Sequence, residues 1–205
     1  MKIRFYFDYS SPFAYLGATQ IERVAAGHEL SWEPFLLGGL FKAIGTANVP
    51  LLEMPQHKQA YLRVDMYRWA EHHGVPLRFP SRFPMMTVTA LRMTLQLEGG
   101  DRAKFAHAVF RAYWVDDEDI NDQVVLRAVA DAAGVDGGAL LTGCADPAVK
   151  ALLHDATEAA RVAGVCGAPS FAIDDGAGAP MLFWGQDRFE LIERVLGGWR
   201  PRADQ

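Results

Sequence analysis

Cysteine is scarce in this sequence, since Cys144 and Cys166 are the only two among 205 residues. They lie far apart and form no C-x-x-C pair, which excludes a disulfide framework and a dithiol redox motif of that kind. We therefore expect a reducing, cytoplasmic environment. Cys166 is expected to be a small, buried apolar side chain.

Long apolar runs and an excess of basic residues are also absent. No stretch approaches the ~20 apolar residues that a membrane-spanning helix needs. The first residues, MKIRFYFDYSSP, lack the apolar core and cleavage site of a signal peptide. The net charge of −5 argues against nucleic acid or an anionic membrane as the main partner, because both bind basic faces. This charge does not exclude a local basic pocket that binds a small anion.

Motifs for metal binding and serine hydrolysis are missing as well. None of the histidines stands in an H-x-x-x-H pattern, and the adjacent His72 and His73 would point about 100° apart on a helix. The acidic run 116–119 lacks the Gly and terminal Glu of a calcium loop, so it predicts an exposed turn. There is no G-x-S-x-G. We predict no metal site and no nucleophile elbow.

Hydrophobic periodicity places strands at both ends of the chain and helices between them. Alternation predicts a strand over 3–7, a helix over 12–26 and a strand over 30–37 that Gly38 and Gly39 end. Helical spacing then dominates the middle of the chain. Near the end, PSFAID and PMLFW flank the turn-rich DGAGA, which predicts a β-hairpin followed by a last helix.

This order of elements, β-α-β, then about five helices, then α-β-β-α, predicts an α/β protein. The two ends are similar in character and flank an all-helical middle. We therefore predict one discontinuous α/β domain, residues 1–38 and 164–205, that carries a large helical insertion, residues 39–163.

The stretch FDYSSPFAYL (7–16) places Ser11 and Pro12 where a strand gives way to a helix. Serine before proline is typical of a helix N-cap, so Ser11 has a structural interpretation. The same position also has a functional interpretation, because a helix start directs free N–H groups and a positive dipole toward a bound anion such as a thiolate. A hydroxyl there can donate to that anion. Local sequence leaves both interpretations open.

The stretch FWGQDRFELIE also supports two interpretations. Asp187 with Glu190 three residues later resembles a capping box, which is structural. Alternatively, Gln186 and Asp187 hold the ammonium and carboxylate of an amino-acid group.

Six stretches together carry a resemblance to a known family. They are, in chain order, FYFDYSSPFAYL, LLGGLFKAIGT, YLRVDMYRWAEHHGVP, WVDDEDIND, GVCGAPSFAI and LFWGQDRFELI. The sequence resembles 2-hydroxychromene-2-carboxylate isomerases over essentially its whole length. These enzymes are relatives of kappa-class glutathione transferases within the DsbA-like group of thioredoxin folds.

The resemblance implies a thioredoxin-like domain with a helical insertion, bound glutathione as cofactor, and a homodimer. Ser11 then stands where redox relatives have their first cysteine, and it would hydrogen-bond the glutathione sulfur. The backbone of Ala168, beside a cis-Pro169, would bind the cysteinyl part. Gln186 and Asp187 would hold the γ-glutamyl end.

Further site residues also follow from the resemblance. Lys42 matches a lysine that faces the substrate, whose carboxylate needs a cation. Lys58 and Asp65 align with polar positions of the glutathione groove in kappa relatives. Phe83 stands where some isomerases have a substrate-contacting tyrosine. Members commonly read G-N-x-P after the lysine, and Asn48 is the residue that would take the role of that asparagine here.

The activity implied is glutathione-dependent cis–trans isomerisation of an aromatic carboxylate, between 2-hydroxychromene-2-carboxylate and trans-o-hydroxybenzylidenepyruvate or a related pair. Two alternatives remain open. A kappa-type transferase would use the same thiolate but consume glutathione by conjugation. A non-catalytic module would use the groove to bind thiols or peptides without turnover.

Overall fold

The computed structural model describes residues 1–201, and within this range the chain forms four strands and ten α-helices. The strands are β1 (Lys2–Phe7), β2 (Glu29–Pro34), β3 (Ser170–Asp174) and β4 (Met181–Trp184). The helices are α1 (Pro12–Val24), α2 (Leu37–Ile44), α3 (Pro50–Glu53), α4 (Gln56–His73), α5 (Val88–Leu95), α6 (Gly99–Trp114), α7 (Gln123–Ala132), α8 (Gly137–Gly143), α9 (Pro147–Val162) and α10 (Phe189–Leu196). A short 3-10 turn, Gln186–Arg188, precedes α10.

The four strands form one mixed sheet in the order β2-β1-β3-β4. Strand β1 runs parallel to β2, which is the arrangement that a β-α-β crossover through α1 produces, and antiparallel to β3. Strands β3 and β4 pair antiparallel as a hairpin. The predicted opening β-α-β unit and the predicted hairpin are therefore confirmed. Because of this order, the ends of β1, β2 and β4 and the start of β3 meet at one edge of the sheet.

Aromatic side chains join the sheet to the helices of the middle segment. Phe5 and Phe7 are fully buried, and the Phe5 ring stacks on Phe171 of β3 at 5.3 Å. Phe7 lies 5.6 Å from the ring of Phe110 on α6. One buried cluster thus contains residues from the strands and from the helical segment.

The predicted division into a discontinuous domain and an insertion stays a prediction. Part of it, residues 202–205, lies outside the described residues. Within residues 1–201, no helix is long and apolar enough to cross a membrane.

Two details differ from the sequence predictions. The second strand ends at Pro34, and Gly38 and Gly39 lie inside α2 and do not terminate a strand. A Cβ atom on Gly38 would lie 2.8 Å from Oδ1 of Asn48, so the close approach of Asn48 explains a glycine within this helix. Cys166 is exposed, contrary to the buried position expected of it. Its neighbours Val165 and Gly167 are buried, and Cys166 lies between them on the solvent side.

Candidate functional site

A cavity of about 610 Å³ lies at the sheet edge where the strand ends meet. The segments that follow β1, β2 and β4 and the segment that precedes β3 all contribute to its lining. Helices α2 and α4 and the segment before α5 complete the walls with mainly apolar side chains. Its size falls within the range of about 300 to 1,000 Å³ that is typical of small-molecule sites.

Ser11 is the N-cap of α1 and also connects two segments of the cavity. Its Oγ accepts a hydrogen bond from Ala14 N–H at 3.1 Å, which confirms the structural interpretation. The same hydroxyl donates to the carbonyl oxygen of Ala168 at 2.7 Å. A hydroxyl has one proton, so donation to a bound anion would require Ser11 to release the Ala168 carbonyl.

Two backbone N–H groups complete this corner of the cavity. Pro12 has no N–H, and Phe13 N–H has no acceptor among residues 1–201, as is common for a helix start. Within the same described range, Ala168 N–H also has none. The Ala168–Pro169 peptide bond is cis, which confirms the prediction. Ser11, Phe13 and Ala168 all line the cavity, and the Ser11–Ala168 hydrogen bond joins the two segments, so this corner carries donors for an anion or a peptide-like ligand once Ser11 releases the Ala168 carbonyl.

Gln186 and Asp187 lie in the 3-10 turn before α10 and differ in exposure. Gln186 is 3 % exposed, and its Oε1 lies 3.2 Å from Nε2 of His73 at the end of α4. Asp187 is exposed, and Oδ2 pairs with Arg188 at 3.4 Å. The capping-box interpretation of Asp187 is wrong, because α10 starts at Phe189 and its N-cap makes no side-chain hydrogen bond.

The remaining predicted residues divide into two groups. Asn48, Asp65 and Phe83 line the cavity together with Ser11, Ala168, Pro169, Gln186 and Asp187. Lys42 and Lys58 are exposed and lie outside its lining. Within residues 1–201, Arg188 is the basic residue that lines the cavity, alongside three carboxylates.

Asp8 is a site residue that sequence reasoning missed. It lines the cavity but is only 1 % exposed, and its carboxylate accepts from Ser10 N–H at 3.0 Å, Ser10 Oγ at 3.1 Å and Leu37 N–H at 2.7 Å. Burial raises the pKa of Asp8, while the N–H groups of Ser10 and Leu37 lower it. An acidic residue at the end of a buried strand, three positions before Ser11, was the available signal.

His73 gives the site a predicted pH dependence. Burial lowers its pKa below the ordinary value of 6.5, although the contact with Gln186 opposes this shift. The folded state therefore favours the neutral ring, and stability is expected to fall as pH decreases through 6.5. In urea unfolding between pH 5 and 8, the advantage of the wild type over His73→Gln should be larger at pH 8.

The exposed neighbour His72 provides the matched control for this prediction. The variant His72→Gln removes an imidazole from the same helical turn and leaves the His73–Gln186 contact in place. An advantage of the wild type over His73→Gln that is equal at pH 5 and pH 8 would contradict the assignment of a depressed pKa to His73.

The comparisons with known proteins agree with this geometry. The family model described as a DSBA-like thioredoxin domain matches residues 2–197. The chain is 32% identical to a 2-hydroxychromene-2-carboxylate isomerase of Sphingobium xenophagum, over 95% of this chain and 97% of that protein. It is 29% identical to glutathione S-transferase kappa 1 of Homo sapiens, over 95% of this chain and 90% of that protein.

A solved structure gives the same result for the fold. A 2-hydroxychromene-2-carboxylate isomerase superposes with a TM-score of 0.86 at 26% identity, covering 97% of this chain and 95% of that one. The predicted α/β, thioredoxin-like and DsbA-like fold with many helices is therefore confirmed. The resemblance to these isomerases and to kappa-class transferases is confirmed as well.

Proposed function

The chain belongs to the DSBA-like thioredoxin domain family, and we propose that it is a glutathione-dependent isomerase of the 2-hydroxychromene-2-carboxylate isomerase type. The observation that carries the proposal is the corner at which the Ser11 hydroxyl and the start of α1 adjoin the cis-Pro169 segment. A relative named as this isomerase supports the type of reaction, and a relative named as a kappa-class glutathione transferase supports glutathione as the thiol.

The residues of the cavity fit a bound tripeptide thiol. The N–H groups of Phe13 and Ala168, which have no acceptor within residues 1–201, belong to the two segments that the Ser11 hydroxyl joins. We assign the sulfur to Ser11 and the cysteinyl backbone to Ala168 and Pro169. Gln186 and Asp187 would hold the γ-glutamyl end. His73 contacts the buried amide of Gln186 and would fix its orientation. The exposed carboxylate of Asp187 would face the ammonium group.

Asp65 and Lys58 complete the proposed glutathione contacts in different ways. Asp65 already lines the cavity, whereas Lys58 lies on the exposed side of the first turns of α4 and would have to reach over the rim. A lysine stem is long and flexible enough for such a reach.

The chemistry of the site depends on an ionised sulfur. Bound glutathione would supply a thiolate that adds reversibly to a conjugated double bond, which allows rotation about that bond. A thiol has a pKa near 8.5, so little is ionised at neutral pH without help. The Ser11 hydroxyl would release the Ala168 carbonyl and donate a charge-assisted hydrogen bond to the sulfur, and the start of α1, with its dipole and the Phe13 N–H, would face the same anion. Together they would stabilise the anion by about 2 to 3 kcal/mol, or about two pKa units.

The apolar walls would receive the aromatic substrate and exclude water. Phe83 and Asn48 line the cavity as the proposed substrate contacts. Lys42 follows the cavity-lining Phe41 in α2 and would reach the substrate carboxylate only by extending its side chain around that helix. We also propose that the protein is a cytoplasmic homodimer.

The test is an assay that follows glutathione and substrate together. We expect isomerisation of the ring-opened aromatic pyruvate to require glutathione, with all of the glutathione recovered at the end. Stoichiometric loss of glutathione with an electrophile would instead show a kappa-type transferase. Binding of glutathione without turnover of any such substrate would show a non-catalytic thiol-binding module.

A further inference from the structure

One wall of the cavity is built from a segment without regular structure. Residues 75–87 connect α4 to α5, and positions 83–88 all line the cavity. An irregular segment has no helix or sheet ladder to fix its backbone, and ordering each residue costs about 1 to 2 kcal/mol of conformational entropy. Contacts from elsewhere in the chain must therefore hold this wall in place.

Asp117, in the acidic turn after α6, makes several polar contacts to that segment. Its Oδ1 accepts from Ser81 N–H at 2.7 Å and from Ser81 Oγ at 3.0 Å. Its Oδ2 pairs with Arg78 at 3.0 Å. The backbone carbonyl of Asp117 accepts from the Arg82 guanidinium at 3.3 Å. Three residues of one loop thus converge on a single aspartate.

The backbone of Asp117 is shaped for this role. Its φ of 59° lies in the left-handed region, which aspartate and asparagine tolerate better than most residues. The side chain is only 10 % exposed although it lies in a surface turn. The Ser81 N–H, assisted by Arg78 and Arg82, lowers the pKa of Asp117, so the carboxylate is ionised where it meets the arginines.

The inner side of the same segment packs on α6. The Phe83 ring lies 5.0 Å from Phe79 and 6.1 Å from Trp114. Met85 N–H donates to the hydroxyl of the buried Tyr113 at 3.1 Å. The segment therefore contacts α6 through Phe83 and Met85 and contacts Asp117, just beyond the end of α6, through its charged and hydroxyl side chains. Tyr15, Tyr67 and Asp119 add single polar contacts to Pro76, Phe79 and Arg82.

We propose that Asp117 is a positioning residue that fixes the cavity wall formed by residues 83–88 and thereby determines which apolar substrate the cavity accepts. The inference rests on the proposed function in that the substrate binds against this wall. None of the proposed glutathione contacts lies in residues 83–88. Loss of Asp117 should therefore change substrate recognition and leave glutathione affinity nearly unchanged.

Three variants test the proposal. Asp117→Ala removes the carboxylate, and Asp117→Asn keeps an oxygen for Ser81 and the tolerance for a left-handed backbone while removing the charge. The control is Asp116→Asn, because Asp116 is the adjacent carboxylate and pairs with Arg111 on α6 at 3.2 Å. Asp117→Asn keeps the test valid if the alanine variant does not fold.

The first measurement is amide hydrogen exchange by mass spectrometry, which needs no activity. We expect exchange in residues 76–88 to rise about tenfold or more in Asp117→Ala, less in Asp117→Asn and not at all in Asp116→Asn. Exchange in 184–188 should stay at the wild-type rate in all three. Unchanged exchange in 76–88 for both Asp117 variants would overturn the proposal.

The second measurement separates recognition from stability. The KM of the isomerisation substrate should rise about tenfold in Asp117→Ala, while the Kd of glutathione stays within about twofold. If amide exchange in residues 76–88 rises but KM does not change, the proposal that Asp117 determines which substrate the cavity accepts is overturned. If the wild type shows no turnover, the proposed function fails, and the Kd of the neutral dye Nile red is measured in place of KM. A Kd that rises about tenfold in Asp117→Ala would support the positioning role, and an unchanged Kd would overturn it.

Discussion

Replacing Ser11 with alanine is expected to lower isomerisation turnover about 10- to 100-fold at neutral pH, because the donor to the proposed thiolate is lost. The pKa of bound glutathione, measured by ultraviolet titration of the thiolate, should rise by one to two units for the same reason. The two effects have one cause, so the activity of the variant should recover as pH is raised toward the pKa of the free thiol.

Ser10→Ala is the matched control, since Ser10 lies in the same loop and its hydroxyl donates to Asp8. Both variants lose one hydroxyl hydrogen bond, which should cost each about 1 kcal/mol of stability, and Ser11→Ala should lose about 1 kcal/mol more with its helix cap. Turnover should fall sharply in Ser11→Ala alone. Equal turnover in the two variants, with an unchanged thiolate titration, would return Ser11 to the role of a plain cap.

The parts of the molecule that sequence predicted are those in which local chemistry decides the structure. Alternating apolar residues define β1, and proline after serine defines the start of α1. The cis-Pro169 segment was predicted through the family resemblance, and the structure shows it in that form. For β1 and the start of α1, a few adjacent residues contain all of the information, whereas the cis proline required the resemblance of the whole chain.

The parts that sequence did not predict depend on contacts between distant segments. His73 contacts Gln186, which lies more than a hundred residues away in the sequence. Asp117 accepts hydrogen bonds from Ser81, although the sequence pattern predicted only that the acidic turn containing Asp117 is exposed. The pattern of residue types in one stretch of sequence does not show which distant stretch it will contact in the folded chain. Gly38 is similar, because the close approach of the Asn48 side chain to this glycine involves a residue ten positions away.

Asp8→Ala is expected to lower the free energy of unfolding by about 3 to 4 kcal/mol, since each buried donor left without an acceptor costs about 1 to 3 kcal/mol. The affected donors are the backbone N–H groups of Ser10 and Leu37, which belong to the segments after β1 and β2. Urea unfolding measures the change. Asp155→Ala, which removes an exposed carboxylate of α9, should change stability by less than about 0.5 kcal/mol.

Asp8→Asn then tests which form of this carboxyl group the fold favours. Burial raises the pKa of Asp8 above the ordinary value of 3.8, so the folded state favours the neutral acid. The stability that this preference contributes is complete below pH 3.8 and is lost as pH rises through the pKa of the folded state. The wild type alone has this dependence, so its advantage over Asp8→Asn should be largest near pH 4 and should decrease toward pH 7. An advantage that increases with pH would show that the donors from Ser10 and Leu37 outweigh burial, and that the site holds a negative charge three residues from Ser11.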